Sequence, residues 1–88
     1  MITVKTTIIN QTGLHARPAG MLVKESIKFK SKIEIETATK KIDAKSIMGV
    51  MALGLAKGTE VTLHIDGPDE EQAKDAVLAL FENGFGEA

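Results

Sequence analysis

Thr59-Glu60-Val61-Thr62-Leu63-His64-Ile65-Asp66 reads as one β-strand with a single apolar face. Val61, Leu63 and Ile65 alternate with polar neighbours, the two-residue period of a half-buried strand. Such a strand is covered on one side and leaves the other in water. Downstream, Asp69 with Gln72 three residues later resembles a capping box. Ala73, Ala76, Val77, Leu80 and Phe81 then follow helical spacing, and Gly84 supplies a stop. Upstream lies the turn Lys57-Gly58. Before it, Ser46 can cap a short helix, Ile47 to Leu53, which Gly54 can end in the left-handed conformation.

Further upstream the same alternation recurs. Lys32 to Thr37 turns Ile33 and Ile35 inward, and Lys40-Lys41-Ile42-Asp43 pairs with it across Ala38-Thr39 as a hairpin. Val4, Thr6 and Ile8 mark a first strand, broken at Thr12-Gly13-Leu14. A helix follows from about Ala16 to Lys28, with Pro18 in its first turn, where a missing N–H costs little. Ala19, Leu22, Val23, Ser26 and Phe29 form its core face. The order β-α-β-β-α-β-α predicts an α+β fold. Four antiparallel strands form an open-faced two-layer β-sandwich with three helices on one face. Split βαβ crossovers are the natural wiring.

Length and composition bound the function. Eighty-eight residues form one domain, 1–88. Apolar residues make up 43% and charged residues 26%, enough to build and cover one core. A net charge of −1 gives no basic field to attract nucleic acid or an anionic membrane. Without cysteine there is no disulfide framework and no thiolate metal site. Two histidines without carboxylates at matching spacing make no zinc site, so neither metal nor cofactor is expected. Met1-Ile2-Thr3-Val4-Lys5 alternates like a strand and lacks a signal peptide's apolar block. No run approaches the roughly 20 apolar residues that span a bilayer. The expectation is a cytoplasmic monomer without membrane insertion.

Two constellations carry chemistry. In Gly13-Leu14-His15-Ala16-Arg17-Pro18-Ala19 a histidine sits at a helix N-terminus, two residues before an arginine. Backbone N–H groups of Ala16 and Arg17 and the positive end of the helix dipole form an anion site. The Arg17 guanidinium binds phosphate oxygens. Both neighbours disfavour protonation of the ring, and neutral imidazole is a nucleophile near neutral pH. Taken alone, His-x-Arg reads equally as a mediocre cap and a solvated arginine.

The second constellation is Lys45-Ser46-Ile47-Met48-Gly49-Val50-Met51-Ala52-Leu53-Gly54. Gly49, Val50 and Leu53 share one side of this helix, and Ile47, Met48 and Met51 the other. A two-turn helix on a small sandwich cannot bury both. The second side is therefore expected to be exposed, and exposed apolar patches rimmed by polar residues mark partner sites. The competing reading is that the methionines fill core gaps and Ser46 is a plain cap. Arg17, Gly20, Lys24 and Ile27 fall on one stripe of the first helix, away from its core face. His64 points to the solvated side of its strand and reads as surface without a role.

Gly-Leu-His-Ala-Arg-Pro-Ala and Lys-Ser-Ile-Met-Gly-Val-Met both resemble the HPr family, the histidine phosphocarriers of the phosphoenolpyruvate-dependent sugar phosphotransferase system. The resemblance covers the whole chain. It implies that enzyme I phosphorylates His15 on Nδ1 and that the group passes to IIA domains of sugar permeases, with Arg17 and the first-turn N–H groups neutralising the phosphate. Ser46 in its motif is similar to Gram-positive-type members. There an HPr kinase/phosphorylase modifies that serine, and the modified form serves a catabolite-control transcription regulator. The implied partner face is Thr12, then Gly20, Lys24 and Ile27, then Ile47, Met48 and Met51. The implied role is a carrier regenerated each cycle, rather than an enzyme. The family's catabolite-repression paralogue lacks the active histidine, whereas His15 is present. Thr12 stands where many members carry Asp or Asn, and Gly20 where a larger residue is expected. The tail Gly84-Phe85-Gly86-Glu87-Ala88 carries no functional signal.

Three other readings compete. A nitrogen-branch or other dedicated carrier paralogue would keep His15 but lose the Ser46 signature. An RNA-binding domain on the same wiring stacks bases on sheet aromatics, whereas this chain has three Phe and no Tyr or Trp. An acylphosphatase-like hydrolase must release phosphate to water, which the His15 motif does not suggest.

Overall fold

The computed structural model describes residues 1–87. Its elements are β1 (Ile2–Thr7), α1 (Ala16–Ser26), β2 (Lys32–Glu36), β3 (Lys41–Asp43), α2 (Ile47–Leu53), β4 (Glu60–Asp66), α3 (Glu70–Glu82) and a 3-10 turn (Gly84–Gly86). The strands form one antiparallel sheet in the order β1-β4-β2-β3. β4 lies between β1 and β2, and β2 lies between β3 and β4, so each βαβ unit is split by a strand of the other. This is the expected architecture.

Alternation places the core. Ile33 and Ile35 of β2 and Val61, Leu63 and Ile65 of β4 are fully buried. In register they pair as Ile33↔Ile65 and Ile35↔Leu63, and β1 adds Ile2 and Val4 opposite Ile65 and Leu63. Ala19 and Leu22 of α1, Val50 of α2, and Ala73, Val77 and Phe81 of α3 close over that face. Each buried Leu, Ile or Val contributes roughly 1.5–3 kcal/mol. Of the expected α1 core face, Ala19, Leu22 and Ser26 are buried, while Val23 and Phe29 pack at its edge. The helix ends at Ser26, two residues before the expected boundary, and Ile27 is its cap.

One expectation needs correction, and His64 and the tail make contacts that the sequence reading did not include. Asp69 makes no side-chain cap with α3. Its carboxylate instead accepts the Ser31 hydroxyl at 2.5 Å and the backbone N–H groups of Lys30 and Ser31 at 2.9 Å, tying the α1–β2 loop to α3. Those bonds, the Ser31 hydroxyl first, lower its pKa to about 2. His64 does lie on the solvated sheet face, but its Nε2 is 2.6 Å from Glu36 Oε1. That contact is diagonal across the β2–β4 register, in which His64 faces Glu34. Finally, the tail is part of the fold. Phe85 is fully buried, edge-on to Phe81 with ring centroids 5.0 Å apart, although its φ is +55°. A left-handed non-glycine residue costs about 1–2 kcal/mol, which burial of the ring offsets.

Candidate functional site around His15

The loop carrying His15 is fixed from below. Ile8 exchanges hydrogen bonds with the 58–59 segment: its N–H reaches Thr59 C=O at 2.9 Å, and Gly58 N–H reaches its C=O at 2.7 Å. The chain then folds back through Asn10 to Gly13. Asn10, 1% exposed, donates its side-chain amide to Gly13 C=O at 2.8 Å. Gly13 adopts φ +68°, and a Cβ there would stand 2.1 Å from the Leu55 carbonyl oxygen. Leu14 N–H bonds that same carbonyl at 2.8 Å, and its side chain is buried. His15 is the next residue, so its backbone is held while its side chain remains 48% exposed.

His15 is the extended N-cap residue of α1. The first intrahelical bond runs from Ala19 N–H to His15 C=O at 2.9 Å. Pro18 has no N–H, which leaves those of Ala16 and Arg17 ahead of the helical ladder at its positive end. Arg17 is exposed beside them. An open cavity of about 290 Å3 adjoins the ring, walled by Thr12, Leu14, Ala16, Met51 and the 54–56 segment. The arrangement offers a nucleophilic nitrogen, two backbone donors, a guanidinium and room for an anion.

One residue of the site was missed. The Glu87 carboxylate accepts the Thr12 hydroxyl at 2.6 Å and the Asn10 amide at 3.0 Å, both on Oε1, while its Oε2 lies 3.8 Å from His15 Nε2. Those two bonds, Thr12 first, hold its pKa below the usual carboxylate range, with His15 and Arg17 acting in the same direction and burial opposing. The signal available in sequence was the aromatic Phe85 two residues earlier, which anchors the turn. The Thr12 hydroxyl, expected to face partners, is engaged in this contact.

The second constellation flanks the first. Ser46 caps α2, its hydroxyl accepting Gly49 N–H at 3.1 Å, and Gly54 ends the helix in the left-handed conformation. A Cβ on Gly49 would come 3.2 Å from the Ser46 hydroxyl, so glycine leaves that cap room. Val50 is buried, whereas Ile47, Met48 and Met51 are 40%, 80% and 45% exposed. Ile27 is exposed on α1, Lys24 likewise, and Gly20 is half-buried with open space where a Cβ would stand. Lys45 ties the two helices by donating to Phe29 C=O at 2.8 Å. Among the described residues no helix is long and apolar enough to cross a membrane.

The family described as PTS HPr component phosphorylation site matches residues 2–83. The phosphocarrier protein HPr of Cupriavidus necator is 49% identical over 99% of this chain and 98% of its own length. That of Treponema pallidum is 42% identical over 99% of each chain. A crystal structure of HPr from Thermoanaerobacter tengcongensis superposes with a TM-score of 0.95 at 49% identity, covering 100% of this chain and 99% of that one.

Proposed function

The chain belongs to the HPr family of phosphotransferase-system phosphocarriers, and from that premise we propose that His15 accepts a phosphoryl group on Nδ1 from enzyme I and passes it to IIA domains of sugar permeases. The observation that carries this is an imidazole half-exposed at the N-terminus of α1, ahead of the helical ladder and beside Arg17. As the Nδ1–P bond forms, the donor's bond to phosphorus breaks and the donor keeps that electron pair. The N–H groups of Ala16 and Arg17, with the Arg17 guanidinium, take the phosphoryl oxygens. The chain acts as a carrier regenerated in each cycle.

The exposed side of α2, with Lys24 and Ile27 of α1, is the docking face for enzyme I and IIA domains. Ser46 is the regulatory position, modified by a kinase/phosphorylase using ATP, and the modified form binds a catabolite-control regulator. The protein works as a cytoplasmic monomer. Reconstitution tests the main reading. With enzyme I, phosphoenolpyruvate and membranes bearing a cognate permease, sugar phosphorylation should require this chain and fail with His15→Ala. Transfer sustained by His15→Ala would overturn it.

A further inference from the structure

The C-terminal turn is built at a conformational cost. Phe85 accepts a left-handed φ of +55° to bury its ring against Phe81. Hydrogen bonds from Gly86 N–H to Asn83 and from Glu87 N–H to Gly84 then close the turn. Its product is the position of one side chain. Glu87 divides its two oxygens: Oε1 takes both anchoring bonds, from Asn10 and Thr12, and Oε2 faces Nε2 of His15 at 3.8 Å. Asn10 is buried, and its amide serves only Gly13 and Glu87 among the described residues. The residues walling the cavity beside the ring are uncharged, and Glu87 is the charged side chain that stands against His15 among the described residues.

We propose that Glu87 is a positioning residue for phosphoryl transfer, acting on the Nε2 side of His15 so that Nδ1 is the reacting nitrogen; the inference rests on the phosphocarrier reading. A neutral imidazole carries its proton on one nitrogen, and the partner of that nitrogen decides which. A fixed carboxylate opposite Nε2 favours the Nε2–H tautomer, leaving the lone pair on Nδ1. When Nδ1 bonds to phosphorus, the ring becomes cationic with its proton still on Nε2, and Glu87 faces the charge as it develops. On transfer to the acceptor the Nδ1–P bond breaks, its electron pair returns to Nδ1, and the ring leaves neutral. No proton is gained or lost in the cycle. Contacts of this kind are commonly long in a resting site and tighten as charge develops.

Glu87→Gln separates the charge from the anchor, because the amide oxygen still accepts from Asn10 and Thr12 while an NH2 group replaces the oxygen facing the ring. Nitrogen-15 NMR reads the tautomer of His15 without any phosphoryl donor. Steady-state phosphorylation by enzyme I reads kcat and KM. The expected result is an Nε2–H tautomer in the unmodified protein, a shift toward Nδ1–H in Glu87→Gln, and a kcat lower by about tenfold with KM nearly unchanged, since a wrong tautomer slows transfer without touching docking. Glu87→Asp should recover part of the rate. An unchanged tautomer in Glu87→Gln would overturn the proposal, whether kcat holds or falls with thermal stability, because Glu87 would then be a structural peg. Failure of the unmodified protein to accept phosphate would instead defeat the carrier reading and leave the tautomer measurement standing.

Discussion

Glu87 Oε2 and His15 Nε2 stand 3.8 Å apart, so the C-terminal turn reaches the N-terminus of α1. The ring thereby has a carboxylate on its Nε2 side, and Arg17 follows in the first turn of the helix. The same carboxylate fastens Asn10 and Thr12. The loop that presents His15 is thus held from two directions, by Leu55 through Gly13 and Leu14, and by the tail through Asn10 and Thr12.

Gly13→Ala should destabilise the fold by about 2 kcal/mol or more, because it adds left-handed strain to a clash with the Leu55 carbonyl. Urea denaturation reads this as a lower midpoint. A change within about 0.5 kcal/mol, the range of an ordinary surface substitution, would contradict the close approach.

The Asp69 clamp predicts an acid-labile contribution. Its folded pKa of about 2 lies below the ordinary value of 3.8. The stability it supplies is therefore fully present above the unfolded value and is lost as pH falls from near 3.8 toward about 2. Asp69→Asn should lower stability at neutral pH and flatten the profile in that acid window. A variant whose acid profile parallels that of the unmodified protein would remove Asp69 from the account.

Much of this was legible in the chain. The alternation in β2 and β4 and the helical spacing of α1 and α3 report burial directly, because one covered sheet face leaves a two-residue period and one covered helix face a 3.6-residue period. The exposed side of α2 followed from having too many apolar residues for two turns. Asp69 was misread because Asp-x-x-Gln is a local pattern, while Ser31 competes for the carboxylate through tertiary contact. Phe85 signals an anchored tail, but the place of Glu87 depends on Phe85 adopting a backbone conformation that sequence assigns to glycine. His64 was placed on the right face, but its Glu36 contact needed the strand register.

Met48→Glu should weaken binding to enzyme I by about 1–3 kcal/mol, the range between ordinary and hot-spot contacts. Met48 is 80% exposed, so folding stability should move by less than about 0.5 kcal/mol. Calorimetric titration with enzyme I, beside thermal denaturation, separates the two. Unchanged affinity would take Met48 out of the docking face.

Ser46→Asp should raise the KM of enzyme I for this protein at low salt. The hydroxyl already caps α2, so a charge there is compatible with the helix N-terminus and acts at the interface itself. High salt should relieve part of the effect, since exposed charges are screened within about 8–10 Å. Phosphorylation at the unmodified rate at low salt would reduce Ser46 to a helix cap.

The most direct measurement is the site of modification. The protein is incubated with enzyme I and phosphoenolpyruvate, its intact mass is recorded, and the ring nitrogens of His15 are followed by phosphorus and nitrogen NMR. One added phosphoryl group, bonded to His15 Nδ1 and absent from a folded His15→Ala variant, is the expected result. A phosphoryl group on His64, on Nε2 of His15, or retained in His15→Ala would contradict it.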